Sequence, residues 1–254
     1  MTRIEKVFQS GRKVLVAYLT AGDPSPAATP ELVAALERGG VDLVELGVPF
    51  SDPIADGPVI QAASARALAA GTTLAKVLEI ARTIRQTSEI PLLLFTYMNP
   101  VVRYGFEALA RDAKAAGIDG CLMTDLSVEE ADDYIGIMRQ AGLDTVFLAA
   151  PTSSSRRLEL VAKYSSGFVY VVSRNGVTGE RDQLSASVGP LLEQLRAKTK
   201  LPLAVGFGIS NGEQARASAE HGNGVVVGSA IVRLIEQGGD LEAFARSLRE
   251  GLDG

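Results

Sequence analysis

The feature that most constrains the fold of this chain is an alternation of apolar runs with amphipathic segments along its whole length. The apolar runs, such as 90–97 and 224–228, are nearly continuous, as expected when helices cover a parallel sheet. The segments between them carry the apolar spacing of helices that pack on a core. The alternation predicts eight strands, each followed by a helix, at a spacing of about thirty residues.

Glycines mark the predicted boundaries. A short repeat, in which a glycine is followed closely by Asp or Asn, stands where a helix stops and a strand starts, and glycine there terminates the helix in a left-handed conformation. The repeat occurs at Gly40-Val41-Asp42, Gly117-Ile118-Asp119, Gly142-Leu143-Asp144 and Gly222-Asn223. The predicted strands cover 14–20, 43–48, 90–97, 119–124, 143–149, 167–173, 201–206 and 224–228. The predicted helices cover 2–10, a segment capped by Thr29, then 59–70, 73–86, 103–116, 128–141, 154–164, 186–198, 210–220, 229–236 and 240–250.

Eight strand–helix units in about 250 residues fit a (β/α)8 barrel. We therefore predict an α/β protein, a single (β/α)8 TIM barrel domain over residues 1–254 with an extra N-terminal helix. No linker-like or low-complexity stretch divides the chain. The alternative is an open doubly wound sheet, which fits less well because no Gly-x-Gly-x-x-Gly follows the first strand.

Composition excludes several classes of protein. Apolar residues form 46% of the chain, enough for a full core, and a net charge of −5 with interspersed signs argues against a nucleic-acid binder. Cys121 is the single cysteine, so no disulfide can form within the chain. The N-terminal residues are charged where a signal peptide is apolar, and no window approaches the roughly 18 apolar residues of a membrane span. We expect a soluble, cytoplasmic protein.

The segment 43–61 is the strongest candidate for a site. Strand alternation places Glu45 on the face opposite Val44 and Leu46, and that face is predicted to be the barrel interior because the other face must meet helices. A desolvated carboxylate there would have a pKa raised toward the range useful for proton transfer. Asp56, in the following loop, could act as a second carboxylate with a separate role. The alternative is that Glu45 pairs with a basic residue and Asp56 only caps the next helix.

A second candidate site lies after strands seven and eight. Both strands end in glycine-rich turns, 206–210 and 228–230, and in this fold such turns with a short extra helix commonly bind phosphate. Neither turn carries Lys or Arg, so backbone N–H groups and the Ser229 hydroxyl would hold the anion. The alternative is that the glycines only permit tight turns.

The remaining polar residues limit the chemistry. The loop 173–183 has the composition of a lid over a substrate, and equally of a plain solvated loop. His221, the single histidine, precedes a strand and is interpreted as structural, so neither a zinc site nor a Ser-His-Asp triad is expected. Cys121 is interpreted as a core residue. Carboxylates, hydroxyls and backbone donors indicate acid–base or lyase chemistry on a small phosphorylated substrate.

The motifs together resemble the tryptophan synthase alpha chain family. The resemblance covers nearly the whole chain, and its most specific part is the segment 43–61. The other matching motifs are Thr20-Ala-Gly-Asp-Pro24, Tyr97-Met-Asn-Pro100, Ser173-Arg-Asn-Gly-Val-Thr-Gly179, Val205-Gly-Phe-Gly-Ile-Ser210 and Val225-Val-Val-Gly-Ser-Ala230. The chain departs from the family pattern at Ser127, usually Pro, and at Asn223, commonly Asp.

The resemblance implies a retro-aldol cleavage of indole-3-glycerol phosphate to indole and glyceraldehyde 3-phosphate, without a cofactor in this chain. Glu45 matches the family's general acid–base, and Asp56 matches the carboxylate that binds the indole N–H and stabilises positive charge on the ring. Thr178 matches a lid residue that positions Asp56, and Tyr170 matches an active-site tyrosine. Gly179, Phe207, Gly208, Gly228 and Ser229 match the phosphate and substrate pocket, and Tyr18, Tyr97, Leu122 and Leu148 match the indole pocket.

The resemblance also implies a partner. The family works with a beta chain that uses pyridoxal phosphate, in an αββα heterotetramer through which indole passes directly for tryptophan synthesis. Asp52, Pro53 and Asn99 match the docking surface. Two alternatives are a stand-alone indole-3-glycerol phosphate lyase that releases indole, and a non-catalytic regulatory subunit of the beta chain.

Overall fold

The computed structural model describes residues 1–172, 181–206, 208–220 and 222–254, with the backbone alone for 181–187. All paired strands within these ranges are parallel, in the order β5-β4-β3-β2-β1-β9-β8-β7-β6. The strands are β1 Val14–Thr20, β2 Leu43–Gly47, β3 Leu92–Thr96, β4 Gly120–Met123, β5 Asp144–Thr145, β6 Leu148–Ala149, β7 Val169–Val172, β8 Leu203–Gly206 and β9 Gly224–Val227.

The sheet closes through the segment 144–149, which is interrupted in its middle. The strand predicted over 143–149 is wrong in its continuity: β5 pairs with β4, and β6 pairs with β7. The change of partner leaves Val146 and Phe147 between the two short strands. Their backbone still bridges both sides, because Val146 N donates to Cys121 O and Tyr170 N donates to Phe147 O. The two pieces together take the place of the fifth of eight barrel strands, so the (β/α)8 prediction is confirmed.

Helices follow the strands around the barrel. They are α1 Arg3–Phe8, α2 Thr29–Arg38, α3 Pro58–Ala69, α4 Leu74–Ile84, α5 Met98–Tyr104, α6 Phe106–Ala115, α7 Asp132–Gln140, α8 Ser155–Tyr164, α9 Arg181–Arg196, α10 Gly212–Ala219, α11 Ser229–Glu236 and α12 Leu241–Asp253. No helix within the described ranges is long and apolar enough to cross a membrane.

Three helix predictions are wrong in detail. The helix predicted over 103–116 is two helices that meet at Gly105, whose φ of 93° belongs to the left-handed side that favours glycine. The helix predicted over 128–141 starts with a separate 3-10 turn, Val128–Glu130. Thr29 is the first residue of α2 rather than its cap, and its Oγ1 accepts a hydrogen bond from Gly22 N at 2.9 Å.

The core has an inner and an outer layer. Leu43 belongs to the inner cluster, which fills the barrel with side chains from successive strands. Val44 and Leu46 belong to the outer cluster between the sheet and its helices. The predicted assignment of the two faces of β2 is therefore confirmed, and Glu45 points to the inside.

The N-terminal ends of the strands are held by the repeat of Asp and Asn. At three of its four positions the side chain accepts a hydrogen bond from a backbone N–H of the first or second residue of a neighbouring strand. Asp42 accepts from Leu15 N at 2.8 Å, Asp119 from Leu92 N at 2.9 Å, and Asn223 from Leu203 N at 2.9 Å. Because an amide oxygen accepts as a carboxylate does, Asn223 serves this purpose without the charge.

Helices α1 and α12 complete this end of the barrel. Ile4 of α1 is fully buried against the inner cluster, and Arg3 donates to Asp119 at 3.0 Å. Arg249 of α12 is itself buried and donates to Asp42 at 3.0 Å and to Lys13 O at 2.9 Å. The end away from the C-termini of the strands is thus closed by buried ion pairs.

We expect Asp42→Ala to destabilise the protein by about 3 kcal/mol, because it leaves the Leu15 N–H without its partner and removes one of the two carboxylates that bind the buried Arg249 guanidinium. Chemical denaturation followed by circular dichroism measures the loss, with Glu250→Ala, exposed on α12, as the control. An equal, small effect of both substitutions would show that Asp42 contributes no more than a surface carboxylate.

Candidate functional site

Glu45 is fully buried, and its carboxyl group has no hydrogen-bond partner in the part of the chain that the structure describes. It lies in β2 beside Tyr18 of β1 and Leu93 of β3 in the strand register, and its exposed fraction is 0%. Neither carboxylate oxygen has a partner among the described residues. Burial alone raises the pKa of Glu45 to about 8, from its ordinary value of 4.5. The alternative in which Glu45 pairs with a basic residue is therefore wrong for the described part of the chain. The Glu45 carboxyl group is protonated at neutral pH.

Asp56 has a different environment. Its Oδ2 accepts a hydrogen bond from the Tyr97 hydroxyl at 2.9 Å, and the same hydroxyl accepts from Ala55 N at 3.1 Å. Burial raises the pKa of Asp56, and the hydrogen bond from Tyr97 works in the opposite direction. Helix α3 begins after Gly57 without a side-chain cap. The alternative in which Asp56 only caps that helix is therefore wrong, because Asp56 is held by a tyrosine from β3–α5 instead.

Two further contacts hold the loop that carries Asp56. Gln61 of α3 donates through Nε2 to the Asp56 carbonyl at 2.8 Å. Phe50, at the start of the loop, packs on the Tyr97 ring with 5.2 Å between centroids. Tyr97 thus contacts the loop at three points, which orders the backbone around Asp56.

A cavity of about 170 Å³ opens above Glu45 at the C-terminal ends of the strands. The side chains of Tyr18 and Tyr170 form part of its wall, and both are largely withdrawn from solvent. Burial, followed by the charge of Asp56, raises the pKa of the Tyr18 hydroxyl, so Asp56 lies within electrostatic range of the cavity. The described residues that line it are Tyr18, Glu45, Ile60, Phe95, Tyr170, Gly206, Gly208, Ile209, Val226, Gly228 and Ser229.

The position of the Tyr170 ring depends on a glycine in the next strand. A Cβ added at Gly206 of β8 would lie 2.7 Å from the Tyr170 hydroxyl oxygen and 2.8 Å from Cε1. Real Cβ atoms do not approach so closely, so the ring lies against the wall because Gly206 has no side chain.

The far side of the cavity carries the two glycine-rich turns. Gly208 follows β8, and Gly228 and Ser229 follow β9, where α11 begins without a side-chain cap. The first N–H groups of a helix have no intrahelical partner and lie at the positive end of its dipole. The described lining residues include no Lys or Arg, so an anion here would bind to backbone N–H groups and the Ser229 hydroxyl, as the sequence predicts.

The other predicted site residues fall into three groups. Leu122 and Leu148 belong to the inner cluster below the cavity, Leu122 fully buried and Leu148 partly. Tyr97 lies behind Asp56. Thr178, Gly179 and Phe207 lie outside the described residues, as do His221 and the loop 173–180.

Sequence reasoning missed four apolar lining residues, Ile60, Phe95, Ile209 and Val226. Phe95 could have been found by alternation, because it lies in register with Gly47 and, like Leu93, on the inner side of β3. Phe95 packs edge-on against Tyr18 at 5.1 Å. No pattern within one segment identifies Ile60 or Ile209, because they reach the cavity from loops and helix α3.

The residues predicted to dock a partner lie near Asp56 at the surface. Asp52 and Asn99 are exposed and Pro53 is half-buried. Two apolar side chains in the same segments are exposed as well, Ile54 at 86% and Val102 at 54%.

No group of three or more His, Cys, Asp or Glu side chains in the described part of the chain is arranged to hold a metal ion. Cys121 is buried in β4, and burial raises the pKa of its thiol to about 12, which makes it unreactive. The prediction that Cys121 is a core residue is confirmed.

The model of the tryptophan synthase alpha chain family matches residues 4–250. The tryptophan synthase alpha chain of Solibacter usitatus is 65% identical over 262 residues, which cover 99% of this chain and 98% of that protein. This chain belongs to the tryptophan synthase alpha chain family. The resemblance read from its motifs is thereby confirmed, and the chain is a TIM-barrel lyase of tryptophan biosynthesis.

Solved structures agree with the family assignment. Tryptophan synthase subunit alpha from Legionella pneumophila superposes with a TM-score of 0.91 at 38% identity, covering 100% of this chain and 99% of that one. A chain of the tryptophan synthase a2b2 complex from Pyrococcus furiosus gives a TM-score of 0.87 at 39% identity, covering 94% of this chain and 99% of that chain. The family's reaction is the cleavage of indole-3-glycerol phosphate, and these matches give no support to the stand-alone or regulatory alternatives.

We expect Glu45→Gln to stabilise the folded protein at high pH. The pKa of Glu45 is higher in the folded state than in the unfolded chain, so the folded wild type holds its proton more tightly. Its stability relative to the Gln variant therefore falls as pH rises from about 4.5 to about 8 and stays low above that. The difference between the two proteins should change by on the order of 3 kcal/mol between pH 5 and pH 9.

Urea unfolding at the two pH values measures this difference, with the exposed Glu250→Gln as the control. A pH-independent difference would mean that Glu45 titrates at an ordinary pKa in the folded protein.

Proposed function

We propose that Glu45 is the general acid–base of the alpha reaction in this chain. The observation that carries the proposal is a buried carboxyl group that has no hydrogen-bond partner among the described residues. Its pKa of about 8 keeps it protonated at neutral pH and able to donate. The proton goes to the indole ring carbon that bears the glycerol phosphate side chain. The resulting carboxylate then takes the proton of the adjacent hydroxyl. The carbon–carbon bond breaks, its electron pair returns to the ring, and indole and glyceraldehyde 3-phosphate leave.

Asp56 stabilises the cation in this scheme. Protonation of a ring carbon places positive charge on the indole, delocalised onto the nitrogen, and a carboxylate at the N–H favours that charge. The hydrogen bond from Tyr97 supports this role, because it favours the ionised form and fixes the direction of the carboxylate. Two carboxyl groups in different surroundings thus serve as acid and as electrostatic stabiliser.

The substrate is held at both ends. Its phosphate binds at the turns of Gly208, Gly228 and Ser229, with Gly179 and Phe207 completing the pocket and Thr178 positioning Asp56 from the lid. The indole ring lies among apolar and aromatic side chains, which suit a flat apolar ligand. Tyr18 and Tyr170 line that pocket, with Leu122 and Leu148 packed beneath it and Tyr97 behind Asp56.

We further propose that this single-domain chain works in the cytoplasm with a tryptophan synthase beta chain, as an αββα heterotetramer. Family membership supports the beta-chain partner, which supplies the pyridoxal phosphate for the second reaction, while the alpha chain needs no cofactor of its own. Asp52, Pro53 and Asn99 form the docking surface, and the exposed Ile54 and Val102 support that assignment. Docking there would act on the loop of Asp56 and so couple assembly to catalysis.

We expect Glu45→Gln to lower the rate of indole-3-glycerol phosphate cleavage by at least about 1000-fold, because an amide neither donates nor takes the proton. The affinity for inorganic phosphate, measured by calorimetry, should stay within about threefold. Asp56→Asn should lower the cleavage rate by about 100-fold, since it keeps the shape of the side chain but removes the stabilising charge. Asp52→Asn, in the same loop but exposed, is the matched control in the absence of beta chain. Normal turnover in Glu45→Gln would remove its acid–base role.

We expect beta chain to raise the turnover of the purified alpha chain by at least about tenfold. The measurement is indole formation from indole-3-glycerol phosphate with and without beta chain, followed by repetition with Ile54→Asp. The charged substitution should weaken the activation and leave the basal rate unchanged. A rate that does not respond to beta chain would favour the stand-alone lyase.

A further inference from the structure

Tyr18 spans the cavity wall from the anion turn to the strand of Glu45. It lies in β1 in register with Glu45 of β2, and its side chain is 5% exposed. Its ring rests edge-on against Phe95, and Ala63 of α3 and Val232 of α11 pack around it in a separate small cluster. The ring is therefore fixed between the helix that follows the Asp56 loop and the helix that follows the anion turn.

The two ends of Tyr18 each meet a glycine. At its base, a Cβ added to Gly228 would lie 3.5 Å from Tyr18 Cβ, an ordinary contact. At its tip, a Cβ added to Gly47 would lie 2.3 Å from the hydroxyl oxygen, 2.6 Å from Cζ and 2.8 Å from Cε2. The hydroxyl stays close to the strand, 3.3 Å from Thr20 Oγ1. No side chain at Gly47 is compatible with the observed position of the ring.

The backbone does not require glycine at this position. Gly47 is the last residue of β2 and is not among the glycines with positive φ, so an alanine could adopt its conformation. The close contacts come from the tip of the Tyr18 side chain, whereas the glycine at 105 is needed for its left-handed φ. Gly47 is thus required by the volume of one neighbouring ring.

We propose that Tyr18, seated by Gly47, is a spacer that sets the separation between the anion turn and Glu45, and that Gly47 is a positioning residue for the cleavage. The inference rests on the proposed function, in which the anion turn holds phosphate and Glu45 donates the proton. A fixed separation selects substrates in which the phosphate and the protonated ring carbon are joined by one length of chain. Displacement of the ring by about 1 Å misaligns that carbon with Glu45.

The test is a mutant cycle between Gly47 and Tyr18. We expect Gly47→Ala to lower kcat/KM for indole-3-glycerol phosphate by at least about 100-fold, with the affinity for inorganic phosphate within about threefold of wild type. In a Tyr18→Phe background the loss should persist, because Cζ and Cε2 remain. In a Tyr18→Leu background, which lacks all three clashing atoms, adding Gly47→Ala should cost less than about threefold.

Gly136→Ala is the matched control, because a Cβ at this exposed helical glycine meets nothing within 4 Å. Thermal unfolding is recorded for every variant. If Gly47→Ala fails to fold while the double variant with Tyr18→Leu folds, the result supports the steric contact between Gly47 and the Tyr18 ring. An equal cost of Gly47→Ala in all three backgrounds would overturn the proposal. If the wild-type protein were inactive, the proposed function would be contradicted instead. The contact between Gly47 and Tyr18 would then be tested by the phosphate affinity and the thermal stability of the same variants.

Discussion

The site is built on a buried carboxyl group that finds no partner in the described ranges of the chain. Glu45 has no cation, no backbone N–H and no hydroxyl within hydrogen-bond distance in the described residues, and it is fully removed from solvent. Such a group is tolerated in its protonated form, and its ionisation would cost several kcal/mol at this position. The barrel therefore supplies a proton donor at neutral pH by withholding interactions. A basic partner for Glu45 would favour its ionised form, lower its pKa and abolish its use as an acid.

The opposite end of the barrel offsets that cost. Two of the buried carboxylates there are paired, Asp42 with Arg249 and Arg12, and Asp119 with Arg3 and Arg85. The same two carboxylates accept from a backbone N–H of the first or second residue of a neighbouring strand, so each one joins a charge interaction to strand alignment. Asp144 Oδ2, at the start of β5, has no hydrogen-bond partner among the described residues. Stability and chemistry are thus divided along the barrel axis. The paired Asp42 and Asp119 align the N-terminal ends of their strands, and Glu45 lies toward the C-terminal ends, where the chemistry of this fold is located.

The sequence predicts most of this division, and its failures have physical causes. The two faces of β2 follow from alternation, since a strand between a packed interior and helices has one way to orient Glu45. The split of 143–149 does not follow, because it arises from a change of hydrogen-bond partner that no local pattern records. The hydrogen bond between Asp56 and Tyr97 does not follow from the sequence either. Tyr97 stands 41 residues away in sequence and reaches the loop because β2 and β3 are neighbours in the sheet.

The glycines show how a narrow barrel makes room for a substrate. Tyr18 and Tyr170 both lie on strands followed by a strand whose glycine faces the ring, and the two pairs have the same register. Gly47 pairs with the residue two places after Tyr18, and Gly206 with the residue two places after Tyr170. At both places the missing side chain lets the ring lie along the wall instead of across the cavity. The tyrosine rings occupy the space that side chains at Gly47 and Gly206 would need, so the two glycines determine the site by where they allow the rings to lie.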